Sequence, residues 1–171
     1  AREGPPIVFL HGVTDSWPAF APLLAHLPAS QQAFAVSQRG HGHSSRPADD
    51  YTLPAMAADV RAFLDAMDIH QAIVAGHSMG SMVAQQFAVD HPDRVAGLVL
   101  MGAFSSLYRH PEMTAFVEGT ILPLRDPIEP AFARDWQLST LARDVDPAFL
   151  DIVVAETLKV PAHVWHAAFS G

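Results

Sequence analysis

The 171-residue chain is predicted to be an α/β protein with a parallel, doubly wound sheet, followed by a helical segment. Three observations predict this class. Short apolar runs recur at Ile7 to Leu10, Ala33 to Ser37, Ala72 to Ala75 and Val95 to Met101. Stretches of helical period separate them. After Gly102 no further buried strand is legible, and Pro111, Pro123, Pro127, Pro130, Pro147 and Pro161 break the chain into helical pieces. Continuous apolar runs suit strands buried on both faces, and strands alternating with helices imply right-handed crossovers.

Each element has its own justification. Ile7 to Leu10 is bounded by Pro5-Pro6 and by His11-Gly12, a strand followed by a turn. From Ser16 to Leu27, Trp17, Phe20, Leu23, Leu24 and Leu27 recur at helical spacing, although Pro18 and Pro22 work against a helix. Beyond a loop rich in Gly, His and Ser, Pro54 opens a helix with an apolar stripe of Met56, Val60, Phe63 and Met67, and with Asp59, Arg61 and Asp65 on the other face. Gly80 to Val89 forms a helix that stops before Pro92. One long helix is expected from Pro147 to about Phe169. Residues 1–104 are thus expected to form the sheet-bearing core and residues 105–171 a helical lid over the strand ends, where such sheets bind ligands. The expected strand order is 33–37, 7–10, 71–76, 95–101.

Composition narrows the function. The formal charge is −8 and the pI near 5.6, which disfavours nucleic-acid surfaces and anionic-membrane anchors, both of which need clustered Lys and Arg. Neither a nucleic-acid nor a membrane partner is expected. Cysteine is absent, so disulfides, thiolate catalysis and cysteine-ligated zinc are excluded. The first residues lack a signal-peptide layout and no apolar run approaches the roughly 18 residues of a membrane span, so a cytoplasmic location is expected. No cofactor is expected. His41 and His43 lack an acidic or thiolate partner pair, which makes a metal site unexpected there.

The chemistry centres on Gly76-His77-Ser78-Met79-Gly80, at the end of one strand and the start of the next helix. This is the context of a nucleophile elbow, in which a strained turn projects Ser78 from the sheet and flanking glycines remove colliding side chains. Helix N-terminal amides would stabilise negative charge at the same spot. Acyl transfer also needs oxyanion donors, expected from the backbone N–H groups of Met79 and Val13, with Gly12 permitting the turn that aims the latter. His11 is expected to be a hydrogen-bonded structural residue. His163 and His166 fit a lid or surface role better than a catalytic one. Asp126, Asp135, Asp144, Asp146 and Asp151 fit solvated faces and helix starts.

Phe9-Leu10-His11-Gly12, Arg39-Gly40-His41-Gly42-His43-Ser44, Gly76-His77-Ser78-Met79-Gly80 and His91-Pro92-Asp93-Arg94-Val95 occur in the order and spacing of the α/β-hydrolase superfamily, which the chain resembles over nearly all of residues 4 to 104. It looks like the branch with a helical cap, which contains esterases, C–C bond hydrolases and cofactor-free haloperoxidases. The family usually has Asp two residues before the Arg of the R-G-H-G loop. Ser37 stands there instead, and loop anchoring is expected to change rather than chemistry.

The resemblance implies a Ser, Asp or Glu, His triad whose acid and base follow later strands, beyond this chain. It also implies an opening pair of strands before Gly4. The expected sheet would then expose two long apolar edges that invite pairing with the remainder of the same chain or with a second chain. The expected activity is hydrolysis of a small carboxylic ester through an acyl-enzyme on Ser78, the 171 residues alone being inactive. The alternatives are a ligand receptor on the same fold and a non-catalytic interaction module. The competing source of a base is a lid histidine, His110, His163 or His166, backed by Asp144 or Asp151.

Overall fold

The computed structural model describes residues 4–104 and 111–170. Four parallel strands form one sheet in the order β2-β1-β3-β4, with β1 at Ile7–Leu10, β2 at Ala33–Val36, β3 at Ala72–His77 and β4 at Val95–Met101. This is the order expected from the sequence. The crossovers carry α1 (Ala21–Leu24), α2 (Leu53–Ala66) and α3 (Met79–Asp90). Thr52 starts α2 by accepting a hydrogen bond from the Ala55 N–H, with Pro54 in the first turn.

Alternation along β1 divides the core. Val8 and Leu10 pack with Val74 against Met56, Val60 and Leu64 of α2 and Val83 and Phe87 of α3. Phe9 faces the other way, its ring 5.0 Å from that of Phe20. The buried stripe of α2 runs through Leu64, whereas Met67 lies beyond the last helical turn and is 45% exposed. Phe63 meets Phe34 of β2 edge-on at 5.4 Å.

Two expected helices are corrected. The 16–27 segment is a 3-10 turn, Trp17–Phe20, followed by the single turn of α1, because Pro18 and Pro22 each remove a backbone donor. The 147–169 helix is two helices, α6 (Pro147–Thr157) and α7 (Ala162–Ser170), since Pro161 cannot continue α6. The helical segment after β4, called the lid only for its place beside the Ser78 pocket, also contains α4 (Pro111–Phe116), which runs into a π-helical turn at Val117–Ile121, and α5 (Pro130–Ser139). It has its own core, in which Trp136 and Trp165 meet at 5.1 Å and Phe132 packs on Trp165. No helix among the described residues is long and apolar enough to cross a membrane.

The two sheet edges are unequal. On β4, Leu98, Val99 and Leu100 are 39%, 45% and 38% exposed. β2, the opposite edge, is only four residues long and half-buried throughout, and makes the shorter apolar edge among the described residues.

Candidate active site

Ser78 sits between the last residue of β3 and the first of α3 with φ 51° and ψ −119°, a backbone conformation costly for a residue with a side chain. Its neighbours hold it there. The Ser78 N–H donates to Met101 O at 2.9 Å, and Ser78 O accepts from the Ser81 N–H at 2.8 Å and the Ser81 hydroxyl at 2.6 Å. Gly76 and Gly80 make the turn possible by absence of side chains. A Cβ on Gly76 would overlap the Gly80 carbonyl, and one on Gly80 would overlap the carbonyl of Leu10.

Val13 and Met79 both line the pocket at Ser78. Met79, as the first residue of α3, carries one of the amides that a helix leaves unpaired at its start. No hydrogen bond among the described residues takes up the Val13 N–H. Gly12 is needed for space rather than for a left-handed turn, since a Cβ there would stand 3.1 Å from His77 Nδ1, 3.2 Å from Asp15 Oδ2 and 3.3 Å from Ser78 Cβ. The left-handed residue of this loop is Thr14, at φ 68°.

His11 is fully buried, and its Nε2 accepts from the Gln38 N–H at 2.9 Å, which leaves Nδ1–H to donate to Gly12 O at 2.7 Å. Burial, then the neighbouring His41, lowers its pKa to about 3. Burial also lowers that of His41 to about 4. Both are neutral supports of the two loops, their rings 5.0 Å apart. Arg39 grips Asp59 through Nε at 2.6 Å and Nη2 at 2.8 Å, tying its loop to α2. Ser37 does serve as an anchor: its hydroxyl accepts from the Trp17 N–H at 3.2 Å.

The pocket over Ser78 has a volume of about 520 Å³ and lies between the strand ends and the lid. Met82, Phe104, Met113, Trp136 and Phe169 give it apolar walls. Three consecutive residues after Val13 fasten the lid. Thr14 Oγ1 accepts from Trp136 Nε1 at 2.8 Å, Asp15 Oδ1 accepts from Gln137 Nε2 at 3.0 Å, and the Ser16 hydroxyl donates to Glu156 Oε2 at 2.7 Å. Asp15, His77 and Gln137 were not singled out in the sequence, yet all three line the pocket. Burial pushes the Asp15 carboxyl up to about 6 despite the hydrogen bond from Gln137, and partial burial lowers the pKa of His77.

The lid histidines lie elsewhere. His163 Nε2 is 3.3 Å from Pro47 O and its ring packs on Tyr51; neither it nor His166 lines the Ser78 pocket. His110 lies outside the described residues. Among the described residues no group of three or more His, Asp or Glu could hold a metal ion.

A serine on a strained strand-to-helix turn, under a pocket at the carboxyl ends of parallel strands, defines the hydrolase class of α/β protein. The α/β-hydrolase fold family model matches residues 5–151, and the chain belongs to that family. Among curated relatives it is 40% identical over 101 residues to epoxide hydrolase B of Mycobacterium tuberculosis, covering 57% of this chain and 28% of the relative. It is 38% identical over 108 residues to the non-heme chloroperoxidase of Streptomyces lividans, covering 60% and 38%. Among solved structures, the esterase RhEst1 from Rhodococcus sp. ECU1013 superposes with a TM-score of 0.82 at 29% identity, over 98% of this chain and 65% of that one. The chain therefore spans well under half the length of these two curated relatives.

Proposed function

We propose that this chain is the nucleophile-bearing part of a serine hydrolase of small carboxylic esters. The observation that carries the proposal is the strained backbone of Ser78 at the pocket floor, with Met79 and Val13 in the same pocket lining. The named relatives run different reactions, so the choice among them comes from the residue itself. A serine hydroxyl is an alcohol nucleophile, suited to acyl carbon. It adds to the ester carbonyl as its proton passes to a general base. The oxyanion that forms accepts hydrogen bonds from Val13 N–H and Met79 N–H, each worth about 3 kcal/mol by comparison with other enzymes. Collapse expels the alcohol and leaves the acyl group on Ser78, and water then releases the acid.

The base and its acidic partner are assigned to residues outside this chain. Among the described residues no hydrogen bond engages the Ser78 hydroxyl, and the lid histidine His163 turns to Pro47. The test is turnover of p-nitrophenyl esters of short acids by the intact protein, with Ser78→Ala alongside. Turnover abolished by Ser78→Ala supports the proposal; ligand-dependent thermal stabilisation without any turnover favours a receptor on the same fold.

A further inference from the structure

Asp15 stands in the wall of the Ser78 pocket with one oxygen engaged and the other facing the space that Gly12 leaves open. Oδ1 accepts from Gln137, while Oδ2 and Ser78 Cβ stand 3.2 and 3.3 Å from the same point above Gly12. Among the described residues no hydrogen bond reaches Oδ2, and Asp15 is the one carboxylate of that wall. His77 Nδ1 stands 3.1 Å from that same point above Gly12, and the rest of the pocket wall is largely apolar, with Val13, Met82, Phe104 and Trp136. Asp15 is half-buried, and a bound molecule that takes water away from Oδ2 must bring a donor in its place or leave a carboxylate oxygen unpaired.

We propose that Asp15 is a specificity-determining residue, selecting esters whose acyl part carries a neutral N–H or O–H donor close to the scissile carbonyl. This deepens the assignment of Ser78 as nucleophile and rests on it. A neutral donor fits better than an ammonium group, which would lose its hydration against apolar walls with a single carboxylate as compensation. Because the Asp15 carboxyl is pushed up to about 6, it is ionised and a strong acceptor at pH 8 and loses that character below 6. The titratable groups facing it among the described residues are His77 at the end of β3, His11 beneath Gly12, and Glu156 of α6 beyond Ser16. Both histidines are held below the ordinary value by burial. Burial works to raise Glu156, but hydrogen bonds from Lys159 and Ser16 prevail and hold it low. The lid helices α5 and α7 bring Trp136, Gln137 and Phe169, which do not titrate.

The test compares two p-nitrophenyl esters on the intact protein, that of N-acetylglycine and that of 4-oxopentanoic acid, which differ by N–H against CH2. Each rate is divided by the rate with free hydroxide. At pH 8 kcat/KM is expected to favour the N-acetylglycine ester roughly 10- to 100-fold. Asp15→Asn keeps an oxygen for Gln137 but turns a donor toward the substrate, and is expected to bring the ratio close to one. In the unsubstituted protein the ratio also falls as pH drops through 6, a fall that Asp15→Asn removes. A loss shared equally by both esters, with the ratio unchanged, gives Asp15 a purely structural role and overturns the proposal. Absence of turnover with both esters defeats the esterase assignment instead. Binding of the two methyl esters, read by tryptophan fluorescence, then decides: a preference for the N-acetylglycine ester that Asp15→Asn removes supports the donor contact, and equal binding overturns it.

Discussion

Trp136 of α5 donates its indole N–H to Thr14 Oγ1 at 2.8 Å, so the lid is fastened directly to the loop that carries the Val13 amide. Thr14 is fully buried and held at a positive φ, and nothing else reaches its hydroxyl oxygen among the described residues. Trp136→Phe keeps a ring in the lid core but strips that bond. A buried polar atom left unpaired costs about 1–3 kcal/mol, and a loss of that size is expected in denaturant unfolding. An unchanged midpoint would mean that the lid does not hold Thr14.

Val13 is expected to act through its amide. Val13→Ala should keep most ester turnover, whereas Val13→Pro, which deletes the N–H, should lose on the order of a hundredfold in kcat. Steady-state kinetics on the intact protein check this. Equal losses in the two variants contradict the oxyanion assignment.

The glycines of the elbow are not equivalent to those of the lid. Gly76→Ala places a methyl group against the Gly80 carbonyl and 2.7 Å from the Ser81 Cα, and is expected to prevent stable folding. Gly119 has nothing within 4 Å of its would-be Cβ, so Gly119→Ala is expected to be neutral or stabilising by roughly 0.5–1 kcal/mol. Soluble yield and thermal unfolding read both. Normal stability of Gly76→Ala would refute the packing described for the turn.

Much of this architecture is legible in the sequence because its causes are local. Apolar runs between turn residues mark the four strands, and Gly76-x-Ser78-x-Gly80 at a strand-to-helix junction marks the elbow. What is not legible depends on contacts distant in the chain. Asp15 follows a turn and reads as an ordinary polar loop residue; only Gln137, 122 positions away, shows that it is covered by the lid. The signal that could have found it is a carboxylate beside the loop that supplies an oxyanion amide. Leu64 replaces Met67 in the buried stripe because α2 ends at Ala66, a boundary that periodicity alone does not set. Pro161 is a visible helix stop, yet the apolar positions on either side keep one helical period and mask the break.

Acid should unfold this protein through its buried histidines. A histidine whose folded pKa lies below 6.5 binds fewer protons when folded, so its contribution to stability is present at higher pH and is lost as pH falls below 6.5. Asp15 has the opposite sign. Its folded value of about 6 exceeds the unfolded one, so it stabilises progressively as pH falls from 6 towards 4. Between pH 7.5 and 5.5, His11 and His41 are each expected to remove stability and Asp15 to return a smaller part of it, a net loss on the order of 2 kcal/mol. Urea titrations at the two pH values measure it, and His11→Asn should shrink the loss by roughly half. A pH-independent stability would show that these imidazoles are not buried neutral.

The most direct measurement is the mass of the adduct that a fluorophosphonate probe forms with the intact protein, followed by peptide mapping. Among the described residues the elbow alone sets a serine on a strained strand-to-helix turn at the pocket, where the proposed oxyanion donors lie, so a single adduct is expected, on Ser78, and none in Ser78→Ala. Labelling that persists in Ser78→Ala, or that maps to another serine, would contradict the assignment of Ser78 as the nucleophile.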